Sequence, residues 1–203
     1  MHMSEFIYGE REVSHLTAQD PVLGVQISRI GHISRAVEPN VYIALMQSII
    51  SQQISTKAAG TVWNRFSERC GVVTPDAVLS LSEEEIAKCG MSRRKAGYLL
   101  GLANAICSGE LDLKHLSSLH DEEVIQCLCK HSGIGRWTAE MMLLFSLSRP
   151  DIVSFSDLAI RRGMMRLYGL ESLSKEEFME VRMRYSPYGS VASLYLWKMA
   201  TEY

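Results

Sequence analysis

The sequence predicts an all-α protein, and three observations support this fold class. Apolar residues recur with helical spacing along nearly all of the 203 residues. No segment alternates apolar and polar residues between hairpin turns, as strands of a sheet would. Helix start signals recur along the chain, at Thr74–Pro75, Ser82–Glu85 and Ser174–Glu177. The length allows one large domain or two small ones.

Helices are predicted over residues 18–30, 39–52, 56–69, 76–80, 83–89, 92–107, 121–131, 136–147, 157–168, 175–184 and 189–200. The fourth begins after Thr74 with a proline at its first position, and the fifth and tenth begin at the two capping boxes. The eighth follows a two-glycine turn. The eighth and ninth are separated by Ser148–Asp151, where Pro150 ends a helix. Short connections favour antiparallel neighbours.

Composition and termini exclude several classes of protein. The longest apolar run, 141–145, is too short to span a bilayer. The N-terminus lacks a basic segment followed by an apolar stretch, so we expect an intracellular protein, cytoplasmic in a bacterium or archaeon and nuclear in a eukaryote. A net charge of -2 and a pI near 6.3 exclude a generally basic surface for nucleic acid.

The five cysteines are predicted to be reduced thiols, mostly buried. Their number is odd and their spacing, at positions 70, 89, 107, 127 and 129, is irregular. Because no cysteine follows position 129, a C-terminal iron–sulfur loop of the C-x6-C-x2-C type is excluded.

A two-glycine turn, Gly133-Ile134-Gly135, opens the most apolar predicted helix, 136–147. Glycines allow close approach of another backbone, and the first N–H groups of the following helix have no partner within it. These groups suit a phosphate, to which Arg136 would add a charged donor. Taken alone, the two glycines fit a tight turn between packed helices at least as well.

A longer pattern surrounds this turn. The run H-S-G-I-G-R-W-T-A-E-M (131–141), followed by V-S-F-S-D-L-A-I-R-R-G (153–163), resembles the helix-hairpin-helix DNA glycosylases. Within them the chain is most similar to a short form of the 3-methyladenine DNA glycosylase II (AlkA-type) branch. Further blocks at 41–59, 90–99 and 187–197 match the same branch.

The resemblance implies a monofunctional glycosylase that flips out alkylated purines, such as 3-methyladenine and 7-methylguanine, and hydrolyses them from duplex DNA in base excision repair. Asp157 is then the catalytic carboxylate, which stabilises an oxocarbenium-like sugar. Asp157 also suits a helix N-cap, and that role alone would explain it. Strand-cleaving relatives have a lysine where this chain has Trp137, whose ring would instead line the pocket of a cationic base.

The resemblance also implies the remaining site residues. Gln53 would be the intercalating wedge, where the bacterial type protein has leucine. The DNA backbone would be contacted by Gly133, Gly135, Arg136 and Thr138. No cofactor is required and no iron–sulfur cluster is expected, but the backbone carbonyls of Ser132 and Ile134 could hold a structural cation. The chain departs from the family pattern at His131-Ser132 and at Gly189, where leucine-proline and arginine are usual.

The expected architecture is two helical subdomains with a cleft between them. One comprises residues 38–149 with the hairpin, and the other comprises residues 1–37 and 150–203. The hairpin and Asp157 would face each other across the cleft. The expected partner is double-stranded DNA with alkylated bases, with no membrane association, and the protein is expected to be a monomer.

Three alternatives remain open at this stage. A glycosylase for oxidised or mismatched bases fits poorly, because the lysine and the cysteine quartet are missing. A non-catalytic DNA-binding protein would have little use for Asp157, because its carboxylate would repel phosphates. A helical interaction scaffold would not bind DNA.

Local charge is compatible with DNA binding despite the acidic average. Residues 130–166 hold six basic and three acidic side chains, residues 91–109 hold three basic and no acidic ones, and residues 41–66 hold two basic and no acidic ones. These segments contain the candidate site residues. So small a basic surface predicts modest, salt-dependent binding.

Overall fold

The computed structural model describes residues 4–201. Within this part of the chain, two short strands accompany twelve α-helices, and the predicted all-α class is confirmed. The strands are β1 (Ser4–Glu5) and β2 (Ala36–Val37), which pair antiparallel. The helices are α1 (Glu10–Gln19), α2 (Pro21–Ile30), α3 (Val41–Ser51), α4 (Thr56–Cys70), α5 (Pro75–Leu79), α6 (Glu83–Ala87), α7 (Arg93–Cys107), α8 (Asp121–Cys129), α9 (Arg136–Phe145), α10 (Leu158–Tyr168), α11 (Lys175–Tyr185) and α12 (Gly189–Thr201). A 3-10 helix spans His115–Ser118.

The predicted helix starts are confirmed by their hydrogen bonds. The Thr74 hydroxyl accepts the N–H of Ala77, and Pro75 occupies the first position of α5. In the two capping boxes, the serine hydroxyl accepts the backbone N–H of the third helical residue, and the glutamate there accepts the N–H of the serine. The pairs are Ser82–Glu85 and Ser174–Glu177.

The N-terminal helix prediction is wrong in two respects. Helix α1 begins at Glu10, eight residues before the predicted start. The segment predicted as a single helix over 18–30 contains the end of α1 and all of α2, divided at Asp20–Pro21. Pro21 has no N–H to donate to α1 and its ring does not fit a helix interior, so it begins a helix instead. The Asp20 carboxylate caps α2 by accepting the N–H of Leu23 at 2.9 Å.

The helices form two compact units. One comprises Glu38–Met142, in which α3, α5 and α6 pack against α7. Its core includes the fully buried Leu45, Ile49 and Leu99. This unit contains Gln53, Trp137 and the hairpin. It ends inside α9, whereas the sequence places the division after residue 149.

The other unit comprises the residues up to Val37 and those from Leu143 onward. Here α10 packs against α12, and α1 packs against α2. The Tyr168 hydroxyl donates a 2.6 Å hydrogen bond to the buried carboxylate of Asp20, which ties α10 to the start of α2. This unit contains Asp157 at the start of α10.

The five cysteines are free, but most are not buried: Cys89 alone is buried, Cys70 and Cys127 are partly exposed, and Cys107 and Cys129 are exposed. Across residues 4–201, we find no helix with the length and apolar character needed to cross a membrane.

Candidate functional site

The hairpin lies between α8 and α9 and is held by backbone hydrogen bonds. The N–H of His131 donates to the carbonyl of Leu128, and the N–H of Ile134 donates to the carbonyl of His131, both at 3.1 Å. The N–H of Ala139 then donates to Gly135, which begins the hydrogen bonding of α9. The helix-hairpin-helix arrangement predicted from the sequence is therefore present.

The two hairpin glycines have different environments. Gly133 has φ +89°, and a Cβ there would lie 2.5 Å from a ring carbon of Tyr98. A side chain at this position would be strained and would collide with α7. Gly135 has no atom within 4 Å of a Cβ built on it. Gly133 is thus needed for packing within the protein, whereas Gly135 leaves open space for a ligand such as a phosphate.

Arg136 is bound to two carboxylates. Two guanidinium nitrogens donate to Glu122 of α8, at 3.0 and 2.7 Å, and Nε donates to Glu140 at 3.0 Å. The hydrogen bonds with Glu122 raise the pKa of Arg136 and lower the pKa of Glu122. Arg136 is therefore already part of an ion-pair network before any phosphate contact forms. The sequence did not predict this network.

The next two residues of α9 differ sharply in exposure. Trp137 is 43% exposed, so part of its indole is accessible beside the hairpin. Thr138 is 4% exposed, and its side chain is buried. A contact of Thr138 with DNA would have to use its backbone N–H rather than its hydroxyl.

Gln53 lies in the turn between α3 and α4 and is exposed. Its φ of +60° is unusual, because only one other non-glycine residue of the described chain has a positive φ. The preceding Gln52 donates its side-chain amide to the carbonyl of Gly133 at 2.8 Å. Lys95 also reaches this turn, from α7. Sequence analysis missed the roles of Gln52 and Lys95, since no local pattern indicates a contact with a turn distant in sequence.

A groove of about 520 Å³ lies beside the hairpin in the same unit. Its basic residues are Arg93 and Arg94, the first residues of α7, and Lys130, which follows α8. Two acidic residues, Glu83 and Glu110, also line it, so the basic side chains exceed the acidic ones by one. His131 and Ser132, where this chain departs from the family pattern, also line it. The groove therefore brings two of the basic segments identified in the sequence to one side of the hairpin.

The carbonyls predicted to hold a cation belong to exposed Ser132 and buried Ile134. The carbonyl between them, at Gly133, accepts the Gln52 amide. The hairpin thus has a carbonyl that accepts from outside the turn, which is compatible with a ligand at its neighbours. Among residues 4–201, no group of three or more His, Cys, Asp or Glu side chains is placed to bind a metal ion.

Asp157 is the N-cap of α10 and is 7% exposed. Its Oδ1 accepts the backbone N–H groups of Ala159 and Ile160, at 2.8 and 3.0 Å. Its own N–H donates to the carbonyl of Ser154 at 3.3 Å. The capping role considered from the sequence is therefore present, and it fixes the orientation of the carboxylate at the positive end of a helix.

Gly189, where arginine is usual, makes a close contact with Asp151. Its N–H donates to Oδ1 of Asp151 at 3.0 Å, and a Cβ on Gly189 would lie 2.5 Å from the same oxygen. The absence of a side chain at position 189 thus lets the Asp151 carboxylate lie against the start of α12. A larger residue would have to displace the Asp151 carboxylate.

Comparisons with known proteins identify relatives in sequence and in structure. A DNA-3-methyladenine glycosylase 1 of Schizosaccharomyces pombe is 36% identical over 162 residues, covering 77% of this chain and 71% of the relative. The crystal structure of a DNA-3-methyladenine glycosidase from Bacillus halodurans superposes with a TM-score of 0.89 at 34% identity, covering 98% of this chain and 94% of that one. A 3-methyladenine DNA glycosylase of S. pombe in complex with abasic DNA superposes with a TM-score of 0.81 at 32% identity, covering 93% and 96%.

The family model described as HhH-GPD superfamily base excision DNA repair protein matches residues 46–187. This range includes Gln53, the hairpin, Trp137 and Asp157. The chain therefore belongs to the HhH-GPD superfamily of base excision DNA repair proteins.

Proposed function

We propose that this protein is a monofunctional DNA glycosylase that removes alkylated purines, of the 3-methyladenine and 7-methylguanine type, from duplex DNA in base excision repair. The observation that carries the proposal is the similarity, over most of the chain, to proteins named as 3-methyladenine DNA glycosylases. The hairpin and the oriented carboxylate of Asp157 supply the groups that such a reaction needs.

The reaction breaks the bond between the base nitrogen and C1′ of the deoxyribose. An alkylated purine already carries a positive charge, so the electron pair of this bond neutralises the departing base. Positive charge develops on the sugar, and a fixed carboxylate such as Asp157 stabilises it. Water adds to C1′ and loses a proton, which leaves an abasic site.

The residue after Arg136 sets the type of glycosylase. A lysine at this position would supply an amine for a Schiff base and strand cleavage. Trp137 has no such amine, so the reaction stops at the abasic site. Its partly exposed ring offers instead an electron-rich face to a cationic base, an attraction of about 0.5–2 kcal/mol.

Binding to DNA would combine the hairpin and the neighbouring basic groove. The N–H groups near Gly135 would bind a phosphate, and Arg93 and Arg94 would bind the adjacent backbone. The carbonyls of Ser132 and Ile134 would carry any structural cation, and the reaction needs no other cofactor. A protein that acts on DNA would work inside the cell, and we expect it to act as a monomer.

A base-release assay tests the proposal. Duplexes that contain 3-methyladenine, 7-methylguanine, 1,N6-ethenoadenine, hypoxanthine or 8-oxoguanine are incubated with the protein, and free base and strand breaks are measured separately. We expect release of alkylated purines without strand breaks and without covalent trapping by borohydride. Release of 8-oxoguanine alone, or of no base, would refute the proposal, and borohydride trapping would refute the monofunctional assignment.

A further inference from the structure

Lys95 of α7 holds the turn that carries Gln53 through hydrogen bonds to backbone carbonyls. The Lys95 ammonium donates to the carbonyl of Ile50 at 2.8 Å and also to the carbonyl of Gln52. These carbonyls lie at the C-terminal end of α3, where the last carbonyls lack helical partners and a cation is favourable. Lys95 is therefore a C-terminal cap supplied by a different helix.

Lys95 differs from its basic neighbours. Arg93 and Arg94 are exposed, whereas Lys95 is partly buried and turned towards the α3 terminus. Burial lowers the pKa of Lys95, as expected for a cation whose two acceptors are uncharged carbonyls. Lys95 belongs to a basic segment that the sequence assigns to DNA binding. Its ammonium group instead binds two backbone carbonyls of the protein.

The same turn is joined to the hairpin. The Gln52 amide donates to the carbonyl of Gly133 at 2.8 Å. One turn of α7 beyond Lys95, the ring of Tyr98 lies against Gly133 so closely that a Cβ there would collide with it. Gln52 and α7 therefore fix the hairpin and the Gln53 turn relative to each other.

Between these anchors, Gln53 has a left-handed backbone conformation that glutamine rarely adopts. Its side chain is exposed. Such a conformation persists only where the surrounding structure enforces it, and it is often found at functional sites. Lys95 binds the carbonyl of the peptide that precedes Gln53, and the side chain of Gln52 binds Gly133; these hydrogen bonds supply this enforcement.

We propose that Lys95 and Gln52 are positioning residues for base flipping, which hold Gln53 ready to insert into DNA and set its place relative to the phosphate bound by the hairpin. This inference rests on the proposed function. A wedge whose backbone is ordered before binding loses less conformational freedom during insertion, so more of the binding free energy remains to separate the base pair.

The test compares two duplexes that carry the same lesion, which is paired in one and unpaired in the other. Single-turnover release of 7-methylguanine is measured opposite cytosine and opposite a tetrahydrofuran abasic analogue, which cannot pair. The variants are Lys95→Met and Gln52→Met. Lys88→Met is the control, because Lys88 is an exposed lysine of the same unit that pairs with Glu84. Adjacent 2-aminopurine reports flipping by its fluorescence.

We expect Lys95→Met and Gln52→Met to slow release from the paired substrate by about tenfold or more, and release from the unpaired substrate by less than about threefold. Gln53→Ala should show the same selectivity, and Lys95→Met combined with Gln53→Ala should be no more than about twofold slower than the slower single variant. Lys88→Met should leave both rates and the fluorescence change unaltered.

The inference would be overturned if Lys95→Met and Gln52→Met slowed base release equally from both duplexes, because a general loss of structure acts on both reactions alike. Additive effects of Lys95→Met and Gln53→Ala on the release rate would also overturn it. If Lys95→Met does not fold, Gln52→Met still decides the question, since it removes a single hydrogen bond. Failure of the wild-type protein to release any alkylated base would instead refute the proposed function.

Discussion

The Oδ1 atom of Asp157 accepts the backbone N–H of Ala159 at 2.8 Å, so the proposed catalytic carboxylate is also the cap of α10. Both roles use the same side chain, and they respond differently to substitution. Asparagine is as good an N-cap as aspartate, but it carries no charge. Asparagine and alanine at position 157 therefore separate the effect on folding from the effect on catalysis.

Asp157→Asn is expected to keep the fold and lose the activity. Removing the charge that stabilises the sugar cation should slow base release by about 100-fold or more. Asp157→Ala should lose activity and also lower the free energy of unfolding by about 0.5–2 kcal/mol, because the cap is lost. Single-turnover kinetics and urea unfolding measure the two effects. A base-release rate of the Asp157→Asn variant within tenfold of the wild-type rate would contradict the catalytic assignment.

Glu122→Gln is expected to strengthen DNA binding by releasing the terminal guanidinium nitrogens of Arg136 from Glu122, while its Nε stays bound to Glu140. The Arg136 and Glu122 side chains are 53% and 55% exposed, so loss of this pair should change the free energy of unfolding by no more than about 1 kcal/mol. One additional phosphate contact should steepen the dependence of log K on log salt concentration by about 0.9. Fluorescence anisotropy with a duplex containing tetrahydrofuran, at several salt concentrations, measures this slope.

The control for this variant is Glu84→Gln. Glu84 forms an exposed pair with Lys88, so its substitution removes the same charge without freeing Arg136. We expect its salt slope to equal that of the wild type. An identical change in both variants would mean that net charge, rather than Arg136, determines the result.

The hairpin glycines give a second matched pair. Gly133→Ala should lower the free energy of unfolding by about 1–3 kcal/mol, because the new Cβ collides with Tyr98 at a positive φ. Gly135→Ala meets no atom within 4 Å and should fold normally. Its methyl group would enter the space open to a phosphate, so DNA binding should weaken by about tenfold, or about 1.4 kcal/mol. Unaltered DNA binding by a folded Gly135→Ala protein would place the phosphate elsewhere.

The sequence predicted much of the fold because most helix boundaries depend on local chemistry. The caps at Ser82 and Ser174 involve residues three positions apart, and both were found where predicted. The boundary at Asp20–Pro21 is not predicted by apolar spacing, which continues across it; its local signal is the proline at the first position of α2. The β1–β2 pairing was not predicted, since two-residue strands leave no periodic pattern.

Two structural features of the candidate site could be predicted because a local motif encodes them: the hairpin turn and the capping of α10 by Asp157. Contacts between segments that are distant in sequence could not be predicted in this way. The hydrogen bond from Gln52 to Gly133 joins residues 81 positions apart, and the one from Lys95 to Ile50 joins residues 45 positions apart. The pairing of Arg136 with Glu122 depends on how α8 packs beside the hairpin. A list of charges along the chain therefore overstates the basic groups that are free to bind DNA.

Trp137→Leu is expected to alter the choice of substrate more than the stability. Because Trp137 is 43% exposed, its replacement should lower the free energy of unfolding by less than the roughly 3–5 kcal/mol that truncation of a fully buried aromatic residue costs, as measured with urea. Loss of an attraction of about 0.5–2 kcal/mol should slow release of cationic 7-methylguanine by about 2- to 30-fold relative to neutral hypoxanthine. Trp137→Phe keeps an aromatic face and should retain part of the preference. Single-turnover rates on the two lesions give the ratio, and a ratio that does not change in Trp137→Leu would show that the indole does not contact the charged base.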